Sequence, residues 1–284
     1  MNSYTLSIVF MLTIAVVLSS IYVCLCYQDT HATIVGKKNI FLYWEQGWEN
    51  ATIVCKLCLL SWKKYNPLWN IVILDKYNLH RYIDIEALVP TFWKISPIQS
   101  RSDVLRINLL NKYNGLWVDA TLFCTKPLDS WIHEYTPFFA FRFHPKFKTT
   151  DNRMVSSWFL FSSEPNYIVR KWCTTYNRYW EGRTKPDNYF QFHIIFSNLY
   201  DNDPMFKRQW DNTDVIYNRY PHLFKGFKKK MGMGHSKLIK NIRDRQSPVY
   251  KLDKTDKPDK TDKRAMSKKR PNPLNYLLRF HGVL

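Results

Sequence analysis

Ser102-Asp-Val-Leu-Arg-Ile-Asn-Leu-Leu-Asn-Lys-Tyr-Asn-Gly-Leu-Trp-Val-Asp-Ala-Thr121 passes from helix to strand within one short stretch. Val104, Leu105, Ile107, Leu109 and Leu110 form the apolar face of a helix. Asn114-Gly115 is a stop signal, because both residues tolerate the left-handed backbone that ends helices. Leu116-Trp-Val-Asp119 then reads as a short buried strand closing on a carboxylate. Upstream, Ser96-Pro97-Ile98-Gln99 predicts the helix start, with Ser96 as N-cap, Pro97 in the first turn and Gln99 three residues on.

The elements on either side repeat this alternation. Asn39–Trp44 is a buried strand, a helix runs from about Ala51 to Tyr65 before Pro67, and Asn70–Asp75 is a second buried strand. Strand, helix, strand in that order implies a parallel pair joined by a crossover helix. Phe138–Phe141 and Trp158–Phe161 add strands, while Asn166–Trp180 and Phe190–Leu199 add helices. The expectation is one α/β domain with a mixed, mostly parallel sheet and flanking helices.

Charge is distributed unevenly. The 284 residues carry a net +19. Residues 225–270 hold 17 Lys and Arg against 5 Asp and Glu, a net of +12, which leaves +7 for the rest. A basic nucleic-acid-binding face is therefore not indicated, since the excess sits in a C-terminal stretch. Aromatic residues at 17% exclude a disordered chain, and only 8 Gly argue against a Gly-rich phosphate loop. Lys254-Thr-Asp-Lys-Pro-Asp-Lys-Thr-Asp-Lys263 is a repetitive solvated linker, followed by a short apolar patch at 273–280 that reads as a loose terminal packing segment.

Leu6–Cys26 is a long uncharged apolar run, sufficient to cross a membrane as a signal anchor. The expected organisation is an anchor over 1–27, a linker over 28–38, the catalytic domain over 39–252 and a basic tail over 253–284. A single-pass membrane protein is the corresponding localisation, in the Golgi or endoplasmic reticulum of a eukaryotic or viral source and in the inner membrane of a bacterial one. Cys55-x-x-Cys58 lies in an apolar helix pattern with no second pair, so core packing is favoured over zinc or redox chemistry. Cys124 and Cys173 read as core residues. Asn50-Ala-Thr52 is a sequon, a triplet that often arises by chance.

Three side chains stand out as chemistry. Asp119, at a strand end, occupies the edge where α/β sheets place ligands. Asp103 and Arg106 share a helical face at i,i+3. An aspartate accepts hydrogen bonds from sugar hydroxyls, while an arginine donates to hydroxyls or phosphate. The bland alternatives are a turn aspartate and a surface ion pair.

The segment 102–121 and its continuation Leu-Phe-Cys-Thr-Lys-Pro-Leu-Asp129 resemble the capsular polysaccharide synthesis family of glycosyltransferases. More distantly they resemble glycosyltransferase family 32, the initiating yeast-type mannosyltransferases and the clostridial glucosylating toxins, which share S-D-x-x-R followed by G-G-x-[YW]-x-D-x-D. Phe41–Gly47, Ser157–Leu160, Tyr189–His193 and Pro248–Leu252 extend the similarity across most of 39–252. The resemblance implies a GT-A fold, a nucleoside-diphosphate sugar donor, a glycan or other hydroxyl acceptor, and transfer with retention. It implies donor-base contacts from Tyr43 and Trp44, donor-sugar contacts from Asp103 and Arg106, and Asp119 as the central catalytic carboxylate.

Asn114 replaces the first Gly of the family pattern, and Thr121 replaces its second Asp. The implied cofactor is a divalent metal, Mn²⁺, at Asp119 and Thr121, although a threonine hydroxyl brings no negative charge to a hard cation. Lys251 or the Lys228–Lys230 cluster is the alternative neutraliser of the diphosphate. Trp158, His193 and His235 are weaker candidates for the acceptor or phosphate site. Gly232-Met-Gly234-His-Ser-Lys237 fits neither phosphate-loop spacing. The competing functional class is a catalytically degenerate or basic binding protein for anionic polymers. Deleting 253–284 is expected to abolish binding by such a protein and to leave most of an enzyme's activity.

Overall fold

β1 (Asn39–Tyr43) is buried along its whole length, which is why five consecutive residues read Asn-Ile-Phe-Leu-Tyr without polar alternation. It lies between β2 (Asn70–Leu74) and β3 (Gly115–Val118), parallel to both. The computed structural model describes residues 38–132, 137–143, 153–222, 235–254 and 273–283. The apolar run at 6–26, the Lys228–Lys230 cluster and Gly232-Met-Gly234 lie outside them. Among the described residues no helix is long and apolar enough to cross a membrane.

The crossover from β1 to β2 is α1 (Ile53–Tyr65). It starts two residues later than its apolar pattern suggests, because the Thr52 side chain accepts the Cys55 N–H and so caps the helix. The short helix α2 (Ile85–Leu88) leads to α3 (Ile98–Tyr113). The Ser96 cap does not form. Ser96 commits its backbone N–H to the Thr184 carbonyl, and Pro97, with no capping side chain, takes the N-cap position.

α3 is buried on most of its circumference, including Asp103, Arg106 and Asn108. Its end is as the sequence indicates: Asn114 (φ 56°) and Gly115 (φ 95°) both have left-handed backbone. A Cβ on Gly115 would stand 2.6 Å from the Asn39 carbonyl oxygen, so glycine also permits β3 to approach β1.

β3 continues the sheet into β6 (Val155–Ser162), and β6 into β5 (Phe138–Arg142), both pairs antiparallel. The strand order is β2-β1-β3-β6-β5. The sheet is mixed as expected, but parallel and antiparallel pairings are equal in number among the described residues. The parallel half lies where α1 supplies a crossover, and the antiparallel half lies beyond β3. Between β3 and β6, β4 (Leu122–Cys124) leaves the main sheet and pairs with β7 (Val249–Lys251) in a separate two-stranded sheet.

Amphipathic helices α4 (Tyr167–Tyr179), α5 (Gln191–Asn202) and α6 (Pro204–Asp211) follow β6. Asn166 caps α4 and Asp203 caps α6 through side-chain oxygens. α7 (His235–Arg243) and α8 (Pro273–Phe280) complete the described helices.

Among the described residues, two apolar clusters meet at α1. One fills the space around β1, β3, β4, β5, β6 and α1, with Trp62, Trp158, Phe141 and Phe159 among its large side chains. The other joins Val54, Leu57 and Cys58 of α1 to Phe123, Tyr250, Leu252, Leu238, Ile242, Leu274, Leu277 and Leu278. The apolar patch at 273–280 therefore packs into the body as α8. Cys55, Cys58, Cys124 and Cys173 are buried free thiols. Burial pushes Cys124 up to about 12, consistent with inert core residues.

Candidate functional site

β3 ends at Val118, and Asp119 is the first residue beyond it. Its backbone N–H is held by the Trp158 carbonyl on β6 (3.0 Å), and its own carbonyl accepts the Leu122 N–H (2.9 Å). The turn between the two sheets thus fixes the carboxylate. α3 runs beside β3 and brings Arg106 to it.

The Asp119 carboxylate binds two cations. Oδ1 lies 3.3 Å from Arg106 Nη2, and Oδ2 lies 2.5 Å from Lys251 Nζ. The Trp117 indole N–H also donates to Oδ1 (3.2 Å). Burial alone would raise the Asp119 carboxyl, but the Lys251 ammonium and the Arg106 guanidinium outweigh it and hold the group well below the usual carboxylate range.

Arg106 reaches in two directions. Nη1 lies 3.2 Å from Asp103 Oδ1 and donates to the Ser157 carbonyl (2.6 Å), and Nε donates to the Ser102 carbonyl (3.2 Å). The rings of Trp117 and Phe192 lie 5.3 and 5.9 Å from the guanidinium carbon. The i,i+3 pair is therefore buried, not a surface ion pair. Burial is the dominant influence on Asp103 and pushes it up to about 7, with the nearby Asp119 charge acting in the same direction and Arg106 opposing.

An open cavity of about 430 Å³ adjoins this network. Tyr43, Trp44, Arg106, Asp119 and Thr121 line it, with Asp103 and Lys251 reaching it through their ion pairs. Tyr43 caps the end of β1 and hydrogen-bonds Glu45 (3.3 Å), while burial and the Glu45 charge raise its phenol above the ordinary range. The Trp44 indole nitrogen is buried without a hydrogen-bond partner.

Seven residues, from Tyr43 to Lys251, thus meet at one place. The cavity also includes Glu45, Gln46, Asn50, Ser102, Trp117 and Lys254, which sequence reasoning did not single out. Glu45 is fastened to Arg101 by two short contacts (2.8 and 2.5 Å). Lys254 was concealed by the repetitive run that it begins. The sequon is otherwise employed: the Thr52 side chain caps α1, and the Asn50 amide donates to the Gln46 carbonyl.

The weaker candidates divide. Trp158 is a core residue, stacked on Phe141 at 4.9 Å, and its carbonyl rather than its ring serves Asp119. His193 is held neutral, pushed down to about 3 by burial and then by Arg106 and Arg153. His235 opens α7, and its side chain lies outside the described residues.

Asp119 and Thr121 suit a divalent cation poorly as arranged. Hard cations take six or more oxygen donors and rely on carboxylate charge. Here a single carboxylate is already engaged by two cations, and among the described residues no group of three His, Cys, Asp or Glu side chains is placed to hold a metal.

Glycosyltransferase afumC of Aspergillus fumigatus is 26% identical over 104 residues, covering 33% of this chain and 27% of that protein. O-glycosyltransferase braB of Annulohypoxylon truncatum is 20% identical over 186 residues, covering 60% and 44%. The chain thus spans less than half the length of these curated relatives. The apo-form glycosyltransferase GlyE of Streptococcus pneumoniae overlays at 12% identity and a TM-score of 0.46, covering 87% of this chain and 61% of that one. The profile of the capsular polysaccharide synthesis protein family matches residues 24–269, most of the sequence, and the chain belongs to that family.

Proposed function

We propose that this protein is a glycosyltransferase of GT-A type that moves a sugar from a nucleoside-diphosphate donor to a hydroxyl of a glycan or other acceptor. The observation that carries the reading is the junction of the cavity with the buried Asp103–Arg106–Asp119–Lys251 network. Acidic groups there suit sugar hydroxyls, basic groups suit a diphosphate, and an indole N–H and phenol lie nearby for the base. Family membership and the two glycosyltransferase relatives support the same chemistry.

In this reading the bond from the sugar anomeric carbon to the diphosphate breaks, and its electron pair stays on the diphosphate. The acceptor oxygen bonds that carbon, and its proton passes to the released diphosphate. Retention is part of the proposal and rests on the family resemblance. Membrane anchoring through residues 6–26 is likewise proposed, from the apolar length of that run.

The test is donor hydrolysis and transfer with a panel of UDP- and GDP-sugars. One donor should be turned over, and Asp119→Asn should reduce its turnover by about 10²–10³, the size expected for losing a preorganised charge at the reacting centre. Full activity in a folded Asp119→Asn protein would refute the assignment.

A further inference from the structure

We infer that Lys251 and Arg106, held apart and aimed by Asp119, supply the positive charge that meets the donor diphosphate, in the position where a divalent metal would otherwise act. The inference rests on the proposed donor class and deepens it.

The charge inventory points this way. The charged residues lining the cavity are Glu45, Arg106, Asp119 and Lys254, and their ion-pair partners are Arg101, Asp103 and Lys251. Among these described residues three carboxylates face four cations, a net positive charge before any ligand enters. A divalent cation at a diphosphate is held by one or two free carboxylates together with water and the phosphate oxygens, and the carboxylates here are already engaged by Arg and Lys. Glu45 is not available to make up the deficit, because Arg101 grips both of its oxygens. To bind a metal, Asp119 would have to release Lys251 at 2.5 Å and Arg106 at 3.3 Å. It would then leave the largely buried Lys251 without its carboxylate and Arg106 with Asp103 alone, a costly exchange.

The strand that delivers Lys251 is built for this. Tyr250 and Leu252 turn into the apolar cluster with Leu277 and Leu278, while Lys251 between them faces Asp119. Strand alternation thus places one cation on the site side and two anchors on the other. Lys251 is itself only 7% exposed, so its rotamer freedom is already lost when a donor arrives. Arg106 is fixed likewise by the Ser157 and Ser102 carbonyls and by Trp117. Preset cations need no reorganisation as negative charge grows on the leaving diphosphate. Lys254, three residues after Lys251 and on the cavity wall, adds a further positive charge at the entrance.

The experiment is calorimetric titration of the full chain with UDP and with GDP, once in excess EDTA and once in Mn²⁺. The diphosphate that binds should do so with affinities within about threefold in the two buffers. In EDTA, Lys251→Met should weaken it about tenfold, the size of one charge-assisted contact, and Lys251→Arg should restore it. Binding that is more than tenfold tighter with Mn²⁺ overturns the inference and leaves the proposed function standing, as does unchanged affinity in Lys251→Met. Binding of neither nucleotide in either buffer removes the proposed donor class itself. The wild-type comparison of the two buffers decides the question even where Lys251→Met does not fold.

Discussion

The site is shared by two regions built in different ways. The first runs from Asn39 to Asp119, where β1, α1, β2, α3 and β3 follow one another and each rests on a local signal. The second joins β4 to β7, α7 and α8, drawn from Leu122–Cys124, His235–Lys251 and Pro273–Phe280. The first supplies the acids Asp103 and Asp119 and the base Arg106, whereas the second supplies Lys251. A carboxylate and its closest cation come from positions 132 apart in sequence. The chemistry therefore depends on the remote region as much as on the motif-bearing one.

Breaking the first region should have the largest effect. Arg106→Met leaves Asp103 uncompensated and Asp119 with one cation instead of two, both in buried surroundings. Removing one partner of a buried ion pair costs about 3–5 kcal/mol. Urea unfolding should register that loss, with donor turnover falling as well. A change below about 1 kcal/mol would mean that water reaches this network and that the first region does not depend on it.

The second region should be only slightly less sensitive. Leu278 is fully buried between α1, β7 and α7. Leu278→Ala should cost about 2–5 kcal/mol for the lost apolar contact and the cavity left behind. Deleting 273–284 removes Leu274, Leu277 and Leu278 together, along with the contacts of His281 to Tyr65 and Lys64. The expectation that an enzyme survives loss of its tail is thereby replaced: truncation should release β7 and lower both the melting temperature and diphosphate binding. Wild-type melting in the truncated chain would show that α8 is ornamental and that the two regions are independent.

These two regions also differ in how well the sequence reveals them. β1, β2 and β3 are unbroken apolar runs bounded by polar or glycine residues, and α3 ends where Asn114-Gly115 says it should. The exception is the Ser96 cap, a valid local pattern that the fold does not use: Pro97 takes the N-cap position, and the Ser96 N–H bonds the Thr184 carbonyl. Asp103 and Arg106 were legible as a helical face, but their burial was not, since it follows from α4 and β6 closing over α3. Lys251 is indicated only by the carboxylate missing at Thr121, alongside the Lys228–Lys230 cluster, while its pairing with Asp119 depends on β4 and β7 meeting, which no local pattern encodes. α8 was readable in principle from Leu274, Leu277 and Leu278 at i, i+3 and i+4. The patch reads as a terminal packing segment, but the Lys-Asp repeat before it hides how tightly it is built into the core.

The finest distinction between the regions is their response to pH. In the first, Asp103 is raised to about 7 by burial, above the ordinary carboxylate range. The folded state therefore holds a proton that the unfolded chain releases near pH 4. Its stabilising contribution is full below about pH 4 and is lost as pH rises through 7. His193 acts oppositely: it is kept neutral and pushed down to about 3, so its contribution is present above about pH 6.5 and declines as pH falls. His281, which anchors the second region and is pushed down to about 4 by burial, behaves like His193. A wild-type melting profile sums these slopes and separates none of them. Comparison with Asp103→Asn isolates the first: between pH 5 and 7 the wild type should lose stability relative to the variant, by at most about 1.4 kcal/mol per pH unit. Parallel profiles would mean that Asp103 is already ionised at pH 5, with Arg106 outweighing its burial, and that the two acids of the first region carry the same charge.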